Sequence, residues 1–137
     1  MTRPPNLSIS PEKVFFIVAK ARRSEINSTG TASALELSDS DDDGYGLSNH
    51  GPDTDRSELT GFIRELNVDE QIDLVGLMWL GRGDAELGSW RDLRGEAERA
   101  HNNRTASYLI GTPLLADYLE EAMSQFGQSF EDYEDHL

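Results

Sequence analysis

The most unusual polar segment of the chain is the string His101-Asn102-Asn103-Arg104. Adjacent Asn residues are poor helix formers because their side chains compete for backbone groups, yet both flanking segments have a helical pattern. Such an exception marks either a helix break or a functional face. If the helix continues, His101, Arg104 and Tyr108 share one stripe that could bind an anionic or amide-bearing ligand. The alternative is that an Asn caps the next helix and Arg104 pairs with a carboxylate.

Two tryptophans flank a glycine-rich turn, with Trp79 at the end of one predicted helix and Trp90 at the start of the next. Aromatic side chains beside such a turn can form the wall of a pocket, to which Arg82 and Asp84 would add polar groups. The alternative is that both tryptophans are core residues. The candidate ligand-binding residues of the chain are therefore Trp79, Arg82, Asp84, His101, Asn102, Asn103 and Arg104.

Two acidic motifs resemble metal sites without completing them. Glu98 and His101 have the Glu-x-x-His spacing of di-iron bundles, which need a second such step and two further Glu residues, and no second step occurs. Asp39–Gly44 matches the first six positions of an EF-hand loop, but His50 stands where a bidentate Glu is required. We therefore expect no metal and no cofactor, and we interpret the run from Asp39 to Asp43 as an acidic disordered stretch.

The charge of the chain is unevenly distributed. The 137 residues contain 26 acidic and 12 basic groups, for a net charge of −14. Residues 31–60 hold eight acids and one Arg, and residues 112–137 hold seven acids and no base. Acidic surfaces disfavour direct nucleic-acid binding, which requires cations that displace phosphate counterions. They favour a protein partner that is itself basic.

The composition also excludes several other classes. The chain has no Cys, so disulfides, Cys-based zinc sites and a Cys nucleophile are ruled out. No apolar run approaches the roughly 20 residues that span a bilayer, and the first residues lack the pattern of a signal peptide. We therefore expect a cytoplasmic protein without membrane contact.

Apolar residues recur with helical spacing, and we predict one all-α domain over residues 1–137: a bundle of about five helices with a disordered acidic insert after the first. The first helix covers residues 7–26, with Ser10 as its N-cap. A flexible acidic linker follows over 27–56, then a helical core over 57–127 and an acidic tail over 128–137.

Within the core, Asn67 and Glu70 form a capping box that opens a central helix, predicted to end at Gly81. Because the run from Leu74 to Leu80 is apolar on all sides, we place this helix at the centre of the bundle. Residues 90–110 form one helix or two. Thr112-Pro113 is predicted to open the last helix.

Several strings in the core resemble a known family. They include Leu66-Asn67, Asp69–Val75, Leu77–Asp84, Ala100–Ala106 and Gly111–Glu121, and Leu7–Val14 is similar as well. Together they resemble the bacterial domain of unknown function 3775 family over about two-thirds of the chain. The resemblance implies an all-helical fold and a bacterial setting. It implies no activity and no catalytic residue.

Two functional hypotheses follow, and a third concerns assembly. The first is a non-catalytic protein-interaction or regulatory module, because no complete catalytic set occurs in the sequence. The second is a small-ligand-binding protein or an enzyme with its site around His101-Asn102-Asn103-Arg104. The third is a homo-oligomer that covers an apolar face left open by a short core.

Overall fold

The computed structural model of the protein describes residues 5–30 and 52–131, and all regular structure in these ranges is helical. The six α-helices are α1 Pro11–Gly30, α2 Pro52–Glu65, α3 Val68–Arg82, α4 Trp90–Ala100, α5 Thr105–Ile110 and α6 Leu115–Gln125, and a 3-10 turn at Leu87–Ser89 precedes α4. The predicted all-α bundle is confirmed, with one helix more than expected because residues 90–110 form two. None of these helices combines the length and the apolar character needed to cross a membrane.

The ends of α1 and α2 differ from the predicted boundaries. Ser10 caps α1 as expected: its hydroxyl accepts from the Lys13 amide at 3.3 Å. The helix then continues to Gly30, and α2 already begins at Pro52, a residue whose fixed φ suits the first helical position. Helices therefore include residues 27–30 and 52–56 of the predicted linker. Its other residues, 31–51, contain the Asp39–Asp43 run and lie outside the described residues, as do residues 132–137 of the acidic tail.

Helix α3 occupies the centre of the bundle. Its capping box is formed as predicted: Asn67 Oδ1 accepts from the Glu70 amide at 2.8 Å, and Glu70 Oε1 accepts from the Asn67 amide at 3.0 Å. Every residue from Ile72 to Met78 is buried, as is Leu80. Helices α4, α5 and α6 pack against α3, whereas α1 packs on α2 and α6. The all-round apolar run thus has neighbours on several sides.

A glycine lets α3 and α6 approach closely. The prediction that the central helix ends at Gly81 is wrong, because the helix continues to Arg82 and is terminated by Gly83 at φ 98°. Gly81 instead lies against the backbone of α6, where an added Cβ would stand 1.8 Å from the Tyr118 carbonyl oxygen. No side chain fits there, so this glycine sets the distance between the two helices.

The two tryptophans have different environments. Trp90 is 3% exposed, and its ring lies over Gly76, where an added Cβ would be 2.9 Å from the indole. The Phe126 ring meets it edge-on at a centroid distance of 5.2 Å. The core alternative therefore holds for Trp90, whereas Trp79 is only partly buried.

The last helix does not start at Thr112-Pro113 as predicted. It starts at Leu115, after an exposed Leu114 in the left-handed region at φ 65°. The Thr112 hydroxyl donates to the Tyr108 carbonyl at 2.8 Å, so this side chain completes the end of α5 and does not cap α6.

A buried carboxylate fixes the N-terminal segment to the bundle. Asp73 is fully buried, accepts from the backbone amides of Ser8 and Ile9, and lies 2.6 Å from Arg94 Nε. Partial burial alone would lower the pKa of Arg94, but hydrogen bonds and charges from Asp73 and Asp69 outweigh it and raise the pKa. One side chain thus joins the segment before α1 to α3 and α4.

Candidate functional site

Trp79 and Tyr108 form an aromatic pair on the surface. Trp79 lies near the C-terminal end of α3 and is only partly buried. Tyr108 lies on the outer side of α5, with 44% of its surface exposed. The indole Nε1 donates to the Tyr108 hydroxyl over 2.9 Å. This hydrogen bond orients both rings, so the pair presents a fixed apolar surface with polar edges.

A groove of about 380 Å³ opens beside this pair, between α3 and the start of α5. We call it the aromatic groove, and its lining residues are Val75, Trp79, Ala100, Asn102, Arg104, Thr105 and Tyr108. Its walls are largely apolar, and Arg104 is the one charged side chain among them. Within the described residues no carboxylate pairs with Arg104. The predicted pairing of Arg104 with a nearby carboxylate is therefore not observed there.

The turn before α5 shows why the helix breaks at the two asparagines. The Asn102 side chain accepts from the Arg104 amide at 2.7 Å, an Asx turn that competes with helical hydrogen bonding. The Thr105 hydroxyl donates to the Asn102 carbonyl at 2.9 Å. Residues 90–110 therefore form two helices, and the alternative of one continuous stripe through His101 is not observed.

His101 is directed away from the aromatic groove. Its Nε2 lies 2.7 Å from Gln71 Oε1, while Gln71 Nε2 donates to the Ile63 carbonyl at 2.9 Å. A backbone carbonyl only accepts hydrogen bonds, so the Gln71 group that faces Ile63 is its NH2 and the group that faces His101 is its oxygen. His101 Nε2 therefore carries a proton and donates it to the Gln71 oxygen. His101 thus joins α4 to α3 and α2, which is a structural contact.

Arg82 and Asp84 lie on the other side of Trp79. Arg82 Nη2 contacts Asp84 Oδ2 at 2.6 Å, and this hydrogen bond is the main cause that raises the pKa of Arg82, with a smaller contribution from Tyr108. Both residues line a second cleft of about 350 Å³, together with Ser89, Asp92 and Glu96 of the following segment. Trp79 is therefore a wall shared by two adjoining clefts.

The predicted site residues are only partly brought together. Trp79, Asn102 and Arg104 meet in the aromatic groove, and Arg82 and Asp84 meet in the cleft beside it. His101 and the exposed Asn103 line neither of them. Of the stripe predicted for a continuous helix, Arg104 and Tyr108 line the aromatic groove and His101 does not. Thr105 is a lining residue that was not predicted, since no local pattern relates it to Trp79, which precedes it by more than twenty positions.

The described residues contain no group of three His, Asp or Glu side chains placed to hold a metal ion. Glu98 is exposed, and His101 of the same Glu-x-x-His step is bound to Gln71. The aromatic groove offers a guanidinium, which can bind a carboxylate, and an aromatic surface, which can cover an apolar side chain.

A family model for proteins of unknown function, DUF3775, matches residues 56–128. The chain belongs to this family. The match covers just over half of the chain, less than the sequence resemblance suggested, and does not include Leu7–Val14. It does include the aromatic groove and the adjoining cleft that contains Arg82 and Asp84. No curated protein and no solved structure matches the chain.

Proposed function

We propose that the protein is a non-catalytic protein-interaction module that binds an acidic, partly apolar segment of a partner protein in the aromatic groove. The observation that carries the proposal is Arg104, a cation without a carboxylate partner in the described residues, beside an exposed aromatic pair. Aromatic residues and Arg are the side chains most enriched at the energetic centres of protein interfaces.

The shape of the site supports a peptide segment as the occupant. Trp79 and Tyr108 hold each other, so little side-chain entropy is lost when a partner covers them. A carboxylate of the partner would form a charge-assisted hydrogen bond with Arg104, and its apolar side chain would cover the Trp79 ring. Both contacts need an extended segment with acidic and apolar residues close together.

Short synthetic peptides test this proposal directly. We would compare a library in which Asp or Glu alternates with Leu or Phe with a library that has Lys in place of the acids. Binding is measured from the change in tryptophan fluorescence and from the NMR signal of the Trp79 indole N–H. Loss of one charge-assisted hydrogen bond, worth about 1.5–3 kcal/mol, predicts roughly tenfold to hundredfold weaker binding for Arg104→Ala.

Arg56→Ala is the matched control, because Arg56 is also exposed and lies on α2, away from the groove. It should bind the acidic library as the native chain does. If the acidic library does not bind, or binds equally well to Arg104→Ala, the groove is not a site for acidic segments.

A small anionic molecule with an aromatic ring is the second candidate occupant, favoured by the groove volume of about 380 Å³. In that case a metabolite would raise the melting temperature of the native chain and of His101→Ala, since His101 lies outside the groove, but not that of Arg104→Ala. We also predicted that the acidic stretches attract a basic partner and that the protein is cytoplasmic. Both stay predictions.

A further inference from the structure

Helix α4 has five exposed charged residues without an ion-pair partner among the described residues: Arg91, Asp92, Glu96, Glu98 and Arg99. All of them except Glu96 form two pairs of opposite charge, Arg91 with Glu98 and Asp92 with Arg99, each with a spacing of seven residues. Seven residues of α-helix rise about 10.5 Å, so neither pair can close within the helix.

The two pairs have opposite polarity along the helix. From the N-terminal end to the C-terminal end, Arg91 and Glu98 run from positive to negative, whereas Asp92 and Arg99 run from negative to positive. A two-fold rotation about an axis perpendicular to α4 exchanges the two ends of the helix. It places Arg91 opposite Glu98 of the second copy and Asp92 opposite Arg99 of the second copy.

The midpoints of the two pairs fall half a residue before and half a residue after Gly95, which lies on the same side of α4. A Cβ added at Gly95 would meet only Arg99 Nη1, at 3.8 Å, so the packing of this chain does not require glycine there. A residue without a side chain at this point lets a second helix approach closely. The glycine and the charge pattern are independent features that share one centre.

The surroundings of α4 leave room for a second helix. One flank is the cleft of about 350 Å³ that includes Asp92, and the other is a cleft of about 660 Å³ that includes Arg91 and Glu98. The helix is therefore a ridge between two depressions that side chains of another copy can fill. An unrelated partner would need a matching pattern of its own, whereas a second copy supplies it by symmetry.

We propose that α4 pairs antiparallel with α4 of a second copy around a two-fold axis at Gly95, held by the ion pairs Arg91–Glu98 and Asp92–Arg99. This dimer does not rest on the aromatic groove, and either proposal can fail alone. Each pair occurs twice, so one charge reversal disturbs two contacts. We expect the dimer dissociation constant to rise about tenfold or more for Arg99→Glu, and high salt to weaken the native dimer.

Charge complementation between two variants of the full chain tests the arrangement. The first carries Asp92→Lys and Glu98→Lys, which makes the α4 surface positive, and the second carries Arg91→Glu and Arg99→Glu, which makes it negative. In sedimentation equilibrium each variant alone should be monomeric where the native chain dimerises, and an equimolar mixture should form a heterodimer. Circular dichroism confirms that both variants are folded.

Arg56→Glu together with Glu65→Lys is the matched control, with the same number of reversals on exposed positions of α2. It should dimerise like the native chain. The proposal is overturned if the native chain stays monomeric up to millimolar concentration, if the two α4 variants dimerise unchanged, or if their mixture remains monomeric. Gly95→Gln provides a second check, since it should weaken the dimer while the monomer stays folded.

Discussion

Replacing Asp73 by Asn should be one of the most destabilising isosteric changes in this protein. The Asp73 carboxylate is fully buried and accepts from Arg94 Nε and from two backbone amides. An Asn keeps the size and one oxygen, but its amide group must face at least one of these donors. Breaking a buried ion pair costs about 3–5 kcal/mol, and the partial exposure of Arg94 places the expected loss at the lower end, about 3 kcal/mol.

Urea unfolding measures this loss, and Asp69→Asn is the matched control. Asp69 contacts the same Arg94 at 3.3 Å, but its side chain is 70% exposed, so its contribution should stay below about 1 kcal/mol. Hydrogen exchange adds a local measurement, because the Ile9 amide should lose protection in Asp73→Asn alone. Equal stability of the two variants would contradict the structural role assigned to the Asp73 carboxylate.

Two further predictions concern glycines and pH. Gly81→Ala should lower the free energy of unfolding by at least about 3 kcal/mol, because its Cβ meets the backbone of Tyr118. Gly95→Ala should instead raise it by up to about 1 kcal/mol at concentrations where the chain is monomeric, because an added Cβ meets little there. Thermal unfolding of both variants in dilute solution checks the opposite signs. A hydrogen bond from Lys13 lowers the pKa of Glu70 despite its burial. This carboxylate therefore stabilises the fold above its unfolded pKa, near 4.3, and the contribution is lost as pH falls through the folded value. Acid unfolding of Glu70→Gln should show a weaker pH dependence, and an unchanged acid limb would contradict this assignment.

Local sequence patterns predicted the structural features that are determined by residues close together in the sequence. The Asn67–Glu70 capping box spans three positions, and both of its hydrogen bonds are present. The end of α3 was assigned incorrectly because Gly81 and Gly83 are equivalent in the sequence. Only the distance to α6 distinguishes the glycine that packs from the glycine that terminates the helix.

The parts that could not be predicted depend on residues distant in the chain. Asp73 follows Ile72 and precedes Leu74, and an acid in an otherwise buried run was the available signal for a structural carboxylate. Its partner Arg94 has no local mark that separates it from the exposed arginines of α4. His101 was expected in the site because of its neighbours, but Gln71, thirty residues earlier, determines its orientation.

Some charged side chains form ion pairs within the fold and others form none, and the second group indicates where partners bind. Asp73 with Arg94 and Glu70 with Lys13 hold helices and the N-terminal segment together, so altering them changes stability before it changes recognition. Arg104 and the four charged residues of the two α4 pairs form no ion pair among the described residues. An exposed charge of this kind contributes little to the free energy of unfolding. Reversing such a charge should change the free energy of unfolding by no more than about 0.5 kcal/mol while it weakens binding about tenfold or more. That separation between stability and binding is the property expected of an interaction surface.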